Sequence, residues 1–205
     1  NSLYTTANKM FGGWGAATNP ARGMIDALVA NRYSVDVIPE WRLAELSARY
    51  PLIVLPDWPN TGLPVKDILT RYVRNGGRLL IAGAENVSLF STESPVTLKG
   101  DATHQQAFVP GAEVFANVSG VWQNVDAGAT PTAQVIENRY PTYDSTRDAT
   151  PAATLTPLGA GKIAAIYGPF GVAYATAHAA PARDFIRKVV DAIYQPALRM
   201  EAPPV

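Results

Sequence analysis

Apolar positions along the first 90 residues switch between two periods. Ala21, Met24, Ile25, Leu28 and Val29 recur at helical spacing after Asn19-Pro20, a pair suited to the cap and first position of a helix. Val35-Asp36-Val37-Ile38 then reads as a short strand, and Trp41 to Arg49 as a short helix with Leu43 and Leu46 inward. Leu52-Ile53-Val54-Leu55 is an unbroken apolar run closed by Pro56, the form of a strand buried on both faces. From Pro64 onward, Val65, Ile68, Leu69, Tyr72 and Val73 make a second helical stripe, stopped by Asn75-Gly76-Gly77. Leu79-Leu80-Ile81-Ala82 is the following strand. Strands and helices alternating over short connections predict right-handed crossovers and an α/β fold: a flavodoxin-like, doubly wound, mostly parallel sheet of about five strands.

The rhythm breaks after Gly83. Residues 84–160 hold no helical stripe longer than two turns and are rich in Pro, Gly, Thr and Asn. Short β-like pieces occur at Glu113–Val118, Val121–Val125, Ala133–Glu137 and Ala153–Leu158, so a β-rich insertion is expected here, with Tyr140–Thr150 its most mobile part. Gly159-Ala160-Gly161 then turns into the apolar strand Lys162–Tyr167. The last helix has the strongest pattern: Ala182, Phe185, Ile186, Val189, Val190, Ile193 and Tyr194 share one face, and Pro196 ends it. A single domain over 1–197 with a linker over 198–205 is the expected organisation.

Composition narrows the chemistry. The 205 residues carry 17 Lys+Arg against 17 Asp+Glu, whereas a nucleic-acid binder shows a basic excess. No apolar run approaches the ~18–20 residues that cross a bilayer. Neither nucleic acid nor membrane is therefore an expected partner. Cys is absent, which removes thiol catalysis, disulfides and Cys-type zinc sites. His104 and His178 have no second His or Cys at ligand spacing, and no metal is expected. Gly12-Gly13-Trp14-Gly15 lacks the dinucleotide fingerprint, and Gly159-Ala160-Gly161-Lys162 leads into a strand rather than a phosphate-binding helix, so no cofactor is expected. No G-x-S-x-G elbow is present. Asn86-Val87-Ser88 and Asn117-Val118-Ser119 match the glycosylation acceptor triplet, a pattern common by chance.

Two acidic residues lie just past predicted strand ends, where open parallel sheets bind ligands: Asp57 and Glu85. Paired carboxylates there can divide acid and base roles, although both positions also suit turns and caps. Trp14 and Trp58 follow predicted strands and can meet at the same edge, and Trp122 lies in the insertion. These three tryptophans are candidate ligand or interface residues, with packing under loops as the competing reading. The insertion's Phe108, Phe115, Val121 and Trp122 suggest a contact patch beyond the needs of one core.

The stretch Tyr50-Pro51-Leu52-Ile53-Val54-Leu55-Pro56, followed by Tyr72-Val73-Arg74-Asn75-Gly76-Gly77-Arg78-Leu79-Leu80-Ile81, resembles the class I glutamine amidotransferase-like domains. The closest resemblance is to the β-galactosidase trimerisation domain of large glycoside hydrolases. It spans 17–90 and 159–195 well and the insertion loosely. In the true amidotransferases a nucleophilic cysteine follows the strand matching Leu79–Ala82; here Gly83-Ala84-Glu85 holds no thiol, so glutamine hydrolysis by that route is excluded. The resemblance implies a non-catalytic accessory domain of a larger, bacterial carbohydrate-active enzyme. Its implied partners are other domains of the same polypeptide, a homo-oligomeric mate and carbohydrate. The opening Asn1-Ser2-Leu3-Tyr4 without Met and the Pro-rich close Arg199–Val205 suit one domain cut from such a chain.

Overall fold

The computed structural model describes residues 14–59, 61–111, 113–128, 132–144 and 148–197, without the side chains of 14–17. Helix α1 spans Trp14–Ala30. A short helix α2, Leu43–Leu46, is flanked by 3-10 turns and leads to strand β1, Leu52–Leu55. Helix α3 is Leu63–Arg74, β2 is Arg78–Ala82 and α4 is Ala84–Leu89. Strands β3 (Thr97–Pro110), β4 (Phe115–Asp126), β5 (Gln134–Arg139), β6 (Thr150–Leu158) and β7 (Gly161–Ile166) follow. Helices α5, Phe170–Ala177, and α6, Ala180–Ile193, close the described chain.

The five-stranded sheet runs β1-β2-β7-β6-β5. β1, β2 and β7 pair in parallel, while β6 runs against both β7 and β5. Four strands therefore share one direction and β6 opposes them. β3 and β4 form a separate antiparallel pair. The α/β class and the mostly parallel sheet are as expected from the sequence. The insertion is smaller than expected, because β5 and β6 extend the main sheet and only β3–β4 stands apart. The four short β pieces read between 113 and 158 also become longer strands, two of them fusing into β4. Residues 145–147 of the stretch expected to be most mobile, the linker 198–205, and Gly12 and Gly13 lie outside the described residues.

Val35–Ile38 joins neither sheet, contrary to expectation. Val35 packs against the core but Val37, two residues on, is 70% exposed, so the segment has no consistent buried face. β1 is less buried than its apolar run suggested. Only Ile53 is buried, since β1 has one strand neighbour among the described residues.

Helix α1 also departs from the reading. It begins before Asn19-Pro20, holds Pro20 inside, and leaves Asn19 Oδ1 without a hydrogen-bond partner, so Asn19 caps nothing. Packing on α5 explains this. A Cβ added to Gly23 would lie 1.8 Å from the Gly171 carbonyl oxygen, and one on Gly171 would lie 2.2 Å from that of Pro20. Two bare glycines let the backbones touch, and that contact outweighs the hydrogen bond proline forfeits. Met24, Ala27 and Leu28 carry the buried stripe, while Val29 is exposed.

The core lies between the sheet and α6, whose Ala182, Phe185, Ile186, Val189, Val190 and Ile193 are all buried as the helical pattern required. Leu79, Leu80, Ile81, Ile163 and Ile166 are fully enclosed in the central strands. An aromatic column ties β4 to this core. Trp122 meets Phe170 edge to face at 5.7 Å, and Phe170 stacks on Phe185 at 3.8 Å.

Candidate functional site

β1 and β2 are parallel neighbours, so the residues just beyond their carboxyl ends share one edge of the sheet. Asp57 follows β1 by two residues and Glu85 lies in the first turn of α4. Their link is Gly83, held at φ +89° with its N–H donating to the Ile166 carbonyl oxygen at 3.0 Å. The Asp57 carboxylate packs directly on the bare Cα: a Cβ on Gly83 would fall 1.9 Å from Asp57 Oδ1. Only glycine satisfies both that backbone angle and that contact.

Asn86 fixes the two strand ends together. Its Nδ2 donates to the Pro56 carbonyl at 2.7 Å and to the Ala82 carbonyl at 2.9 Å, tying β1 to β2. Asn86 is buried, and its Oδ1 has no partner. This burial removes Asn86 as a glycosylation acceptor; Asn117 sits exposed on β4.

Burial pushes the Asp57 carboxyl up to about 6, and the negative charge of Glu85 adds to the rise. The sheet edge thus brings the two predicted carboxylates into electrostatic contact. Two carboxyl groups in unequal surroundings can split into one proton donor and one ionised base near neutral pH. The strand–turn–helix of β2, Gly83 and α4 presents no hydroxyl or thiol at its bend, so it offers no nucleophile of that kind.

The aromatic candidates fare differently. Trp58 is buried at 7% exposure with its Nε1 unpartnered, and Trp122 is wholly buried with its Nε1 donating to the Val118 carbonyl at 3.2 Å. Neither presents a face for stacking or docking, because each is packed inward under its loop or strand. The side chain of Trp14 lies outside the described residues. Phe108 is buried as well, which shrinks the contact patch expected on the insertion. Val121 of that patch stays exposed at 48%, and Val37, Trp41 and Leu63, before and after β1 in sequence, are exposed as well.

His104 is exposed on β3 and His178 ends α5 in the left-handed region at φ +48°, its ring 5.1 Å from that of Tyr174. Among the described residues no three metal-ligating side chains converge. No described helix is long and apolar enough to cross a membrane.

Sequence reasoning missed Arg139. It closes β5 at 3% exposure, its guanidinium 4.0 Å above the Trp122 ring. The polar run Glu137-Asn138-Arg139 carries no sign of a buried cation.

No protein-family model and no curated protein matches this sequence. Solved structures do match its fold. An exo-β-1,4-mannosidase, Op5Man5 from Opitutaceae bacterium strain TAV5, superposes with a TM-score of 0.60 at 14% identity, over 90% of this chain and 32% of the mannosidase. A β-galactosidase from Bacillus circulans sp. alkalophilus gives 0.60 at 15% identity, over 86% of this chain and 27% of that one. A putative ThuA-like protein from Bacteroides uniformis gives 0.57 at 11% identity, over 87% of both chains. This chain therefore spans about a third or less of the two glycosidases and most of the ThuA-like protein. It shares with all three an α/β fold, the one that the Leu52–Ile81 pattern resembles.

Proposed function

We propose that this chain is a non-catalytic accessory domain of a larger carbohydrate-active enzyme, contributing contacts between domains or subunits. The observation that carries the proposal is the lopsided coverage: 90% of this chain lies on 32% of a mannosidase. The flavodoxin-like, doubly wound arrangement belongs to this reading, as do the trimerisation role and a bacterial source. Exposed Val37, Trp41 and Leu63, in the segments that flank β1 in sequence, supply apolar surface for such contacts. Interfaces between domains of one chain bury about 600–1,500 Å². Two measurements test the proposal: the complete reading frame, and the turnover of this chain on a panel of chromogenic glycosides. A hydrolase barrel encoded in the same frame and no turnover by this chain are the expected results. Robust turnover by the chain alone would sink the proposal.

The raised Asp57 favours a second reading, a hydrolase using Asp57 and Glu85 as acid and base. Two-carboxylate glycosidases hold the pair roughly 5–10 Å apart. Activity abolished by both Asp57→Ala and Glu85→Ala would establish it, and activity untouched by either would remove it.

A further inference from the structure

A cleft of about 460 Å³ opens between the β3–β4 hairpin and the β5–β6 strands, away from the Asp57 edge, lined by Lys99, Asn124, Asp126, Arg139, Tyr140 and Asp148 among others. At its wall sits the buried Arg139. Its Nη2 donates to Asn124 Oδ1, but Nη1 is shut off from solvent and has no acceptor. No carboxylate forms an ion pair with it among the described residues: Asp126 pairs with Lys99 at 3.2 Å. A buried guanidinium normally has both a counter-charge and acceptors for its donors. Here, among the described residues, the Trp122 face is the partner that the structure gives the cation, an interaction too weak to replace both.

From this cleft we infer a binding site for a small hydroxylated carboxylate of the sugar-acid class, its carboxylate facing Arg139. Each part of that ligand answers a feature of the cleft. The carboxylate brings the missing counter-charge to the guanidinium that lines the cleft. The hydroxyls find acceptors in Asp126 and Asp148 and a polar amide in Asn124. Those two aspartates argue against a phosphate, whose second negative charge they would repel. Burial also pulls the Arg139 guanidinium down to about 10, the direction that a bound anion would reverse. The volume admits a molecule of monosaccharide size. The inference is independent of the accessory-domain proposal, since it concerns a different face of the molecule.

Glucuronate, glucose and inorganic phosphate are the probes, titrated into the chain by calorimetry and by amide chemical-shift mapping. Glucuronate should bind at one site per chain, with shifts centred on residues 99, 124, 139 and 148–151. Glucose and phosphate should each bind about tenfold or more weakly. Arg139→Met should abolish the glucuronate preference without lowering the melting temperature, because it removes an unpaired buried charge. Thr150→Tyr, on the cleft wall directly opposite Arg139 in the β5–β6 pairing, should block binding by filling the space. Glucuronate binding no tighter than glucose would overturn the inference, and this comparison needs no variant. Phosphate binding as tightly as glucuronate would also overturn it in favour of a simple anion site, and so would full glucuronate binding by Arg139→Met.

Discussion

The parallel β1-β2-β7 half and the β3–β4 hairpin are built on opposite plans. In the parallel half, every residue of β2 from Leu79 to Ala82 is buried, and α6 seals it with six apolar side chains. Most of β3 between Thr97 and Gln106 is exposed, and the hairpin reaches the core through one face, Ala107, Val109, Ala116, Val118, Trp122 and Val125. One region is held by area spread over many contacts. The other is held by one buried face built around Trp122 and by backbone links, Gln123 N–H to the Tyr167 carbonyl at 3.0 Å and the mutual pair between Phe108 and Tyr140. The difference teaches where a side-chain loss is shared and where it is concentrated.

Ile186→Asp should break the contrast altogether. It places an unpaired carboxylate under the sheet at a fully buried position, a cost of more than about 4 kcal/mol that unfolds both regions together. Far-ultraviolet circular dichroism and thermal melting read the loss. Trp122→Ala should sharpen the contrast, costing about 3–5 kcal/mol. Amide exchange should then accelerate across β3 and β4 while β1, β2 and β7 stay protected; uniform acceleration would contradict the two-plan account.

Gly83→Ala tests the joint between β2 and α4. The left-handed backbone and the overlap with Asp57 should together cost ~1–3 kcal/mol, and Asp57→Ala in the same chain should recover the part due to the carboxylate, leaving the approach of the Asp57 Cβ. Equal losses with and without Asp57 would mean the overlap is relieved at no cost.

Asp57→Asn has the smallest effect and the opposite sign. The folded chain holds the Asp57 proton up to about 6 rather than 3.8, so ionisation opposes folding. That penalty is absent well below pH 4, grows as pH rises through 6, and is complete above about pH 7. The amide should therefore stabilise the chain at pH 8 by ~1–3 kcal/mol, nearer the lower end for a side chain that is partly exposed. The advantage should vanish at pH 3.5 in parallel urea titrations.

Legibility followed the same divide. α3, β2, β7 and α6 were readable because each buries one stripe or one continuous run, and burial is what hydrophobic period records. β3 was not, since Thr97–Thr103 is an exposed ribbon whose pairing with β4 shifts between Lys99 and Thr103, and of its side chains only Leu98 packs on the core. Pro20 misplaced the start of α1, because a glycine contact 151 residues away in sequence, Pro20 against Gly171, overrode the local signal. At the candidate site, Asp57 and Glu85 were legible from strand ends alone. For Trp58 and Trp122 the sequence left stacking and packing as alternatives, and the direction each side chain turns decides for packing. Arg139 was invisible because its peculiarity is a missing partner, and composition cannot show an absence in space.

The position of β7 between β2 and β6 has a consequence for synthesis. Arg78 pairs with Lys162, so the centre of the sheet closes only after some 84 further residues have followed β2. At roughly 5–20 residues per second, the inner edge of Leu79–Ala82 waits on the order of 4–17 s for its neighbour while the ribosome is still at work. During that interval an apolar strand lies open on the side that will become the middle of the molecule. A nascent chain arrested before Gly161 should accordingly bind chaperones, and release after β7 and α6 are both complete should end that binding.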